Sequence, residues 1–156
     1  MDPLYLEDMT PGRTFELPGE IAIDADAIRA FAVQFDPQPF HLDDAAARNS
    51  PFGGLAASGW HTAGLTMRLL ADALPIAGGL IGVNVELSWP QPTRPGDRLR
   101  ASCEIVESRA SRSKPEQGIV KLRTTTRNQA GEPVQVMVST MVVRVRGAGQ
   151  TSGDRP

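Results

Sequence analysis

An acidic side chain and an imidazole, Asp36 and His41, lie five residues apart in this chain. A carboxylate and an imidazole that reach one water molecule from two sides are suited to general acid–base chemistry. Both are predicted to lie in a loop that carries Pro37 and Pro39, and proline restricts the backbone, which suits groups that must be positioned before a substrate arrives. The spacing alone leaves a second interpretation open, in which Asp36 ends a helix and His41 packs in the core.

A second candidate site lies in the segment 53–61, Gly-Gly-Leu-Ala-Ala-Ser-Gly-Trp-His, which leads into an apolar helical stretch. Backbone N–H groups at such a helix start are free and lie at the positive end of the helix dipole, so they can hold an oxyanion. The candidate binding residues are Ser58 and Gly59. The alternative is that the glycines only allow close packing and that Ser58 is a helix N-cap. The chain has no phosphate-loop ending and no Gly-x-Ser-x-Gly nucleophile elbow.

The composition limits the classes of site and partner. The chain has 156 residues, which fits one domain, and a net charge of −2, which predicts no nucleic-acid partner. One cysteine excludes an internal disulfide framework, and His41 and His61 do not have metal-ligand spacing, so we expect no metal. No apolar run approaches the roughly 20 residues of a membrane span. Residues 1–8 lack a signal-peptide core, so we expect a cytoplasmic protein with no membrane partner.

Turn residues and apolar periodicity divide the chain into the elements that must position both candidate segments. Asp24 is predicted to cap a helix that Pro37 ends, so that Asp36 leaves it in an extended conformation. Residues 57–74 are predicted to form a helix that is apolar, and therefore buried, on most sides. The other predicted elements are strands at 14–17, 20–23, 80–89, 98–107, 118–127 and 134–145, a short helix at 43–49 that Asp43 caps, and a disordered tail at 147–156. Sequential strands with short turns favour an antiparallel sheet wrapped around the long helix, which is an α+β fold.

Three other side chains are interpreted as structural. Cys103 lies on an alternating strand and is predicted to be a small buried side chain. Trp89 precedes a proline-rich turn and is interpreted as packing. Arg94 is interpreted as one of several scattered surface arginines.

The sequence also resembles a known family in three places. Residues 35–46, Phe-Asp-Pro-Gln-Pro-Phe-His-Leu-Asp-Asp-Ala-Ala, resemble the Asp-x-Asn-Pro-x-His-x-Asp-x-x-Ala signature of the MaoC-like dehydratases, the (R)-specific enoyl-CoA hydratases of the hot-dog fold. Residues 52–62 look like that family's start of the central helix, and residues 94–97 like its Pro-Gly-Asp turn. Gln38 stands where asparagine is commoner, and Ser58 replaces a histidine that many relatives carry.

The resemblance implies a fold, an activity and a set of site residues. It implies a single hot-dog domain over residues 1–146. The implied reaction is the reversible hydration of a trans-2-enoyl thioester to an (R)-3-hydroxyacyl thioester, as in fatty acid metabolism. Asp36 and His41 would flank the catalytic water, with Asp36 removing its proton and His41 orienting it and supplying a proton to the α-carbon. The Gly59 N–H, beside Ser58, would stabilise the thioester oxygen. The substrate would be an acyl-CoA, with no metal or other cofactor, and the protein would be a homodimer or a higher homo-oligomer.

Two other functions stay open at this point. A hot-dog acyl-CoA thioesterase needs an acid on the central helix, and the first half of this helix offers His61, Thr62 and Thr66 but no carboxylate before Asp72. A non-catalytic acyl-CoA-binding subunit of a heteromeric dehydratase is the third hypothesis. Degenerate family members usually lose the acid or the imidazole, and both are present here.

Overall fold

The computed structural model describes residues 2–148, which form four α-helices and six strands. The helices are α1 (Ala25–Phe35), α2 (Pro39–Leu42), α3 (Asp44–Arg48) and α4 (Gly59–Ala73), and a short 3-10 helix spans Leu6–Asp8. The strands are β1 (Thr14–Glu16), β2 (Ile21–Ala22), β3 (Ile81–Ser88), β4 (Arg98–Ala110), β5 (Gln117–Arg127) and β6 (Pro133–Arg144). Most of the predicted disordered tail, residues 149–156, lies outside the described residues, while Gly147 and Ala148 belong to a turn after β6.

The strands form one antiparallel sheet in the order β1-β4-β5-β6-β3, and β2 also pairs with β4. Alternate residues of β4 point inward, as predicted, and Leu99, Cys103 and Ile105 are almost fully buried. Cys103 and Ile105 pack with buried residues of β5 and β6 and with Leu69 and Leu70 of α4 in the larger apolar cluster. The predicted α+β fold, a sheet around a central helix, is therefore confirmed.

Cys103 lies in this core, as predicted. Burial, with a smaller contribution from the charge of Glu16, raises the pKa of the Cys103 thiol to about 12. The thiol is therefore protonated at neutral pH and is a packing group, because the thiolate is the reactive form.

The prediction that the central helix is buried on most sides is wrong. Only one face of α4 is buried, and its buried residues are Thr62, Thr66, Leu69, Leu70 and Ala73. Met67 is 41% exposed, because it lies off the face of α4 that packs against the sheet through Thr66, Leu69 and Leu70. Within residues 2–148, no helix is long and apolar enough to cross a membrane.

Candidate active site

Asp36 is positioned by the end of α1. The helix begins at Asp24, whose side chain accepts a hydrogen bond from the Ala27 N–H, as the predicted cap requires. Asp36 is the C-cap, with φ −153° and ψ 70°, because Pro37 disfavours a helical conformation at the residue before it. The carboxylate therefore leaves the helix at a turn and faces the start of α4.

His41 lies on a short helix and not in the loop that the two prolines suggested. Pro39 begins α2, since its fixed φ suits the first helical position, where no N–H bond is needed. The imidazole is buried, and its Nδ1 lies 2.6 Å from the Ala56 carbonyl oxygen. A carbonyl only accepts, so Nδ1 carries the proton and donates it. In the neutral ring, the Nε2 lone pair then faces Asp36, whose Oδ2 is 3.4 Å away.

Ser58 joins the acid to the central helix. Its Oγ–H donates to Asp36 Oδ2 over 2.7 Å, and the same oxygen accepts the Trp60 N–H over 3.2 Å. The side chain is fully buried. Ser58 is therefore both the helix N-cap that the sequence allowed and a contact of the candidate acid, across 22 residues of sequence.

Gly59 begins α4 and lies against the indole of Trp89. A Cβ at this position would lie 2.6 Å from Trp89 Cε2, so only glycine fits without a shift. No acceptor within the described part of the chain receives the Gly59 N–H, which is at the positive end of a 15-residue helix. The N–H is therefore available to a ligand oxygen.

These groups share one cavity of about 280 Å³. The residues that line it include Asp36, His41, Phe52, Gly59, Trp60, Thr62 and Trp89. Trp89 is thus a wall of the candidate site and not simply the packing residue of the sequence interpretation. A larger cavity, of about 560 Å³, lies beside β4 and contains none of the candidate residues. The small cavity is the one with an acid, an imidazole and a free helix-start N–H.

The interpretation of Arg94 as a scattered surface arginine is wrong. Its guanidinium donates to the carbonyls of Gly54, over 2.9 Å, and of Leu55, over 3.3 Å, and its other nitrogen donates to the Phe52 carbonyl. The last of these residues, Leu55, immediately precedes Ala56, whose own carbonyl accepts the hydrogen bond from His41 Nδ1–H. The only signal in the sequence was the Pro-Gly-Asp turn, in which Asp97 accepts the Arg94 N–H over 2.8 Å.

His61 does not join the candidate pair. Its ring stacks on Phe31 with centroids 4.6 Å apart, and burial lowers the pKa of the imidazole. It does not line the cavity. Across residues 2–148, no cluster of three or more His, Cys, Asp or Glu side chains could hold a metal ion.

The fold and this cavity define a class of protein: a hot-dog domain with an acid–imidazole pair at the start of its central helix. A family model described as a MaoC like domain matches residues 7–128. The chain therefore belongs to the MaoC-like domain family, as the motif resemblance predicted.

Similar proteins of known structure or name agree with this family. The chain is 52% identical to a MaoC-like dehydratase from Rhodospirillum rubrum, with a TM-score of 0.89 over 92% of this chain and 98% of that one. It is 28% identical to the (R)-hydratase from A. caviae involved in PHA biosynthesis, with a TM-score of 0.67 over 87% of this chain and 97% of that one. It is 34% identical over 104 residues to a 3-hydroxybutyryl-CoA dehydratase from Methylorubrum extorquens, an alignment that spans 67% of this chain and 65% of that relative.

Proposed function

We propose that the protein catalyses the reversible hydration of a trans-2-enoyl-CoA to an (R)-3-hydroxyacyl-CoA. The observation that carries this proposal is the convergence of Asp36, His41 and the Gly59 N–H on one cavity. The names of two relatives, a 3-hydroxybutyryl-CoA dehydratase and an (R)-hydratase, support the reaction class and the hand of the product.

The acid and the imidazole would act on one water molecule. Asp36 accepts a proton from the water, and the Nε2 lone pair of His41 accepts a hydrogen bond from the other hydrogen, which aims the oxygen at the β-carbon. The oxygen bonds to the β-carbon as the C=C π electrons move to the thioester. One proton passes from the water to the Asp36–His41 pair and from the pair to the α-carbon, so the reaction consumes one water and no net proton.

The negative charge that develops on the thioester oxygen would be stabilised at the start of α4. Gly59 lines the cavity, and its N–H lies at the positive end of the helix, where a developing oxyanion gains most. Ser58 Oγ–H donates to Asp36 Oδ2 and so holds the side chain of the acid in place. The thioester itself acidifies the α-position, so we propose that no metal or redox cofactor takes part.

The test is the hydration of crotonyl-CoA by the purified protein. Loss of the conjugated enoyl-thioester absorbance, with (R)-3-hydroxybutyryl-CoA as the product on chiral analysis, is the expected result. Release of free CoA thiol without hydration would replace the proposal with a thioesterase. No turnover of any enoyl-CoA from four to ten carbons would favour the non-catalytic subunit.

The position of the carboxylate on the central helix, that of Asp72, argues against a thioesterase. The Asp72 carboxylate pairs with Arg68 at 2.7 Å on the exposed side of α4, and it does not line the cavity. No side-chain carboxylate other than Asp36 lines that cavity among residues 2–148.

We also propose that two copies pair through β3. This strand is the sheet edge, and Ile81, Val83 and Val85 on it are each at least half exposed. An apolar, unpaired edge is covered when a second strand hydrogen-bonds to it. Size-exclusion chromatography with light scattering should give twice the 16.7 kDa chain mass.

The double variant Val83→Lys/Val85→Lys should give the monomer mass, because charged side chains block edge pairing. Val138→Lys is the matched control, since Val138 lies on β6, which is paired on both sides. A wild-type monomer, or a dimer that the double variant leaves intact, would contradict pairing through this edge.

A further inference from the structure

Behind the catalytic cavity, a hydrogen-bonded network joins the indole of Trp89, which is 42% exposed, to buried polar side chains of the sheet and the central helix. Trp89 Nε1–H donates to Gln135 Oε1 over 2.9 Å, and Gln135 Nε2 donates to Thr66 Oγ1 over 3.0 Å. Thr66 Oγ1 and Thr126 Oγ1 are 2.7 Å apart. Gln135, Thr66 and Thr126 are fully buried. Each amide or hydroxyl is thus satisfied inside a region where apolar side chains are the rule.

These hydrogen-bonded side chains lie between two cavities in the gap between the helix and the sheet. The catalytic cavity includes Gly59 and Thr62 on the first turn of α4. About one turn beyond Thr66, an apolar cavity of about 90 Å³ is lined by Met67, Leu70, Leu80, Val85, Leu122 and Met137, among others. An acyl group bound with its thioester oxygen at the Gly59 N–H, and extended along the helix, therefore meets the hydrogen-bonded side chains of Trp89, Gln135 and Thr66 before it reaches the apolar cavity.

We propose that Trp89, held in place by Gln135, is the residue that restricts the substrate to short acyl chains, of about four carbons. The inference rests on the proposed hydratase function. To pass Trp89, a longer alkyl chain must displace its indole. The indole packs so closely on Gly59 that a Cβ added to this glycine would lie within 3 Å of the ring. It must also leave the Gln135 amide and the Thr66 hydroxyl without partners in a buried site, a loss that burial of a few methylenes does not outweigh.

Gln135 has the role of a positioning residue in this arrangement. Its amide oxygen fixes the indole, and its amide nitrogen is fixed in turn by Thr66. Replacing the amide should therefore loosen Trp89 without removing it. Comparing a Gln135 variant with a Trp89 variant therefore separates the effect of the position of the indole from the effect of its size.

The experiment measures kcat/KM for trans-2-enoyl-CoA substrates of four, six, eight and ten carbons. We expect the wild type to prefer four carbons over eight by at least about tenfold. Trp89→Ala and Gln135→Leu should each shift that ratio toward eight carbons by about tenfold or more, because the gap to the apolar cavity opens. Val33→Ala is the control: Val33 is an apolar side chain of α1 that is 67% exposed and lines neither cavity. Its four-to-eight ratio should stay at the wild-type value.

Each outcome bears on one proposal. A wild type that hydrates ten-carbon and four-carbon substrates equally well, or variants that keep the wild-type ratio, would overturn the chain-length inference while leaving the hydratase intact. A wild type inactive on every substrate in the series would overturn the proposed function instead. Thermal unfolding of each variant identifies a failure to fold, and if Trp89→Ala fails, Gln135→Leu and Trp89→Phe decide the question.

Discussion

Replacing Asp36 with asparagine is expected to lower kcat for crotonyl-CoA hydration by about 10²–10⁴-fold, the usual contribution of a positioned general base. An amide has nearly the shape of the carboxylate, and its oxygen can still accept the Ser58 Oγ–H that lies 2.7 Å from Asp36 Oδ2. The amide cannot accept a proton from water. Steady-state rates from the loss of enoyl-thioester absorbance, with KM little changed, would locate the loss in the chemical step.

The matched control for this variant is Asp43→Asn in the same segment. Asp43 caps α3 by accepting the Ala46 N–H over 2.7 Å, and asparagine caps a helix about as well as aspartate. Asp43 does not line the cavity, so the control should keep the wild-type kcat. An Asp36→Asn enzyme with wild-type kcat would mean that Asp36 is not the base.

His41→Ala should cause a loss in the same range, because the water would lose its second contact. The double variant should then lose much less than the product of the two single losses, since both residues act on one water. Independent, multiplying losses would show that the acid and the imidazole act at different places.

Local sequence signals predicted much of the frame that holds these residues. The caps at Asp24 and Asp43, the end of α1 before Pro37 and the alternation of β4 all follow from interactions within a few residues. Such interactions can be predicted from the sequence, because the repeat of a helix or a strand determines which nearby residues lie on the same face. Asp36 and His41 could be singled out for the same reason.

The contacts that complete the site join residues far apart in the sequence. Ser58 reaches Asp36 across 22 residues, and Trp89 reaches Gln135 across 46. Neither distance is set by a local period, so composition and spacing could not indicate these pairs. The exposed side of α4 was mispredicted for the same reason, since the sheet covers only one face of the helix through contacts between distant residues, such as Thr66 and Thr126.

The role of Arg94 is also visible only in the folded chain. Its replacement should lower both the stability of the protein and kcat. Arg94→Gln removes the donors that Gly54, Leu55 and Phe52 share. We expect the free energy of unfolding to fall by about 2 kcal/mol, since hydrogen bonds from a charged donor are lost at a half-buried site. We also expect kcat to fall by about 10–100-fold, because a small displacement of a catalytic group has a cost of this size.

The kcat loss follows from the path between Arg94 and the imidazole. The guanidinium fixes the carbonyls at 52, 54 and 55, and the next carbonyl, that of Ala56, receives the Nδ1 proton of His41. If this loop moves, Nε2 loses its alignment with the water that Asp36 activates. A positioning role of this kind predicts that kcat falls with KM nearly constant.

Arg94→Lys and Arg98→Gln separate positioning from general destabilisation. Lysine keeps the charge but cannot bridge several carbonyls with one planar group, so it should recover stability more than kcat. Arg98 lies on the exposed surface of β4, 3.8 Å from Glu20, so its replacement should change neither quantity. If Arg94→Gln lowers only the unfolding temperature and keeps kcat at a temperature where it is folded, Arg94 supports the loop without aligning His41. A fall in kcat that Arg94→Lys leaves largely unrescued would instead show that the planar guanidinium, through the carbonyls it holds, sets the direction of the imidazole.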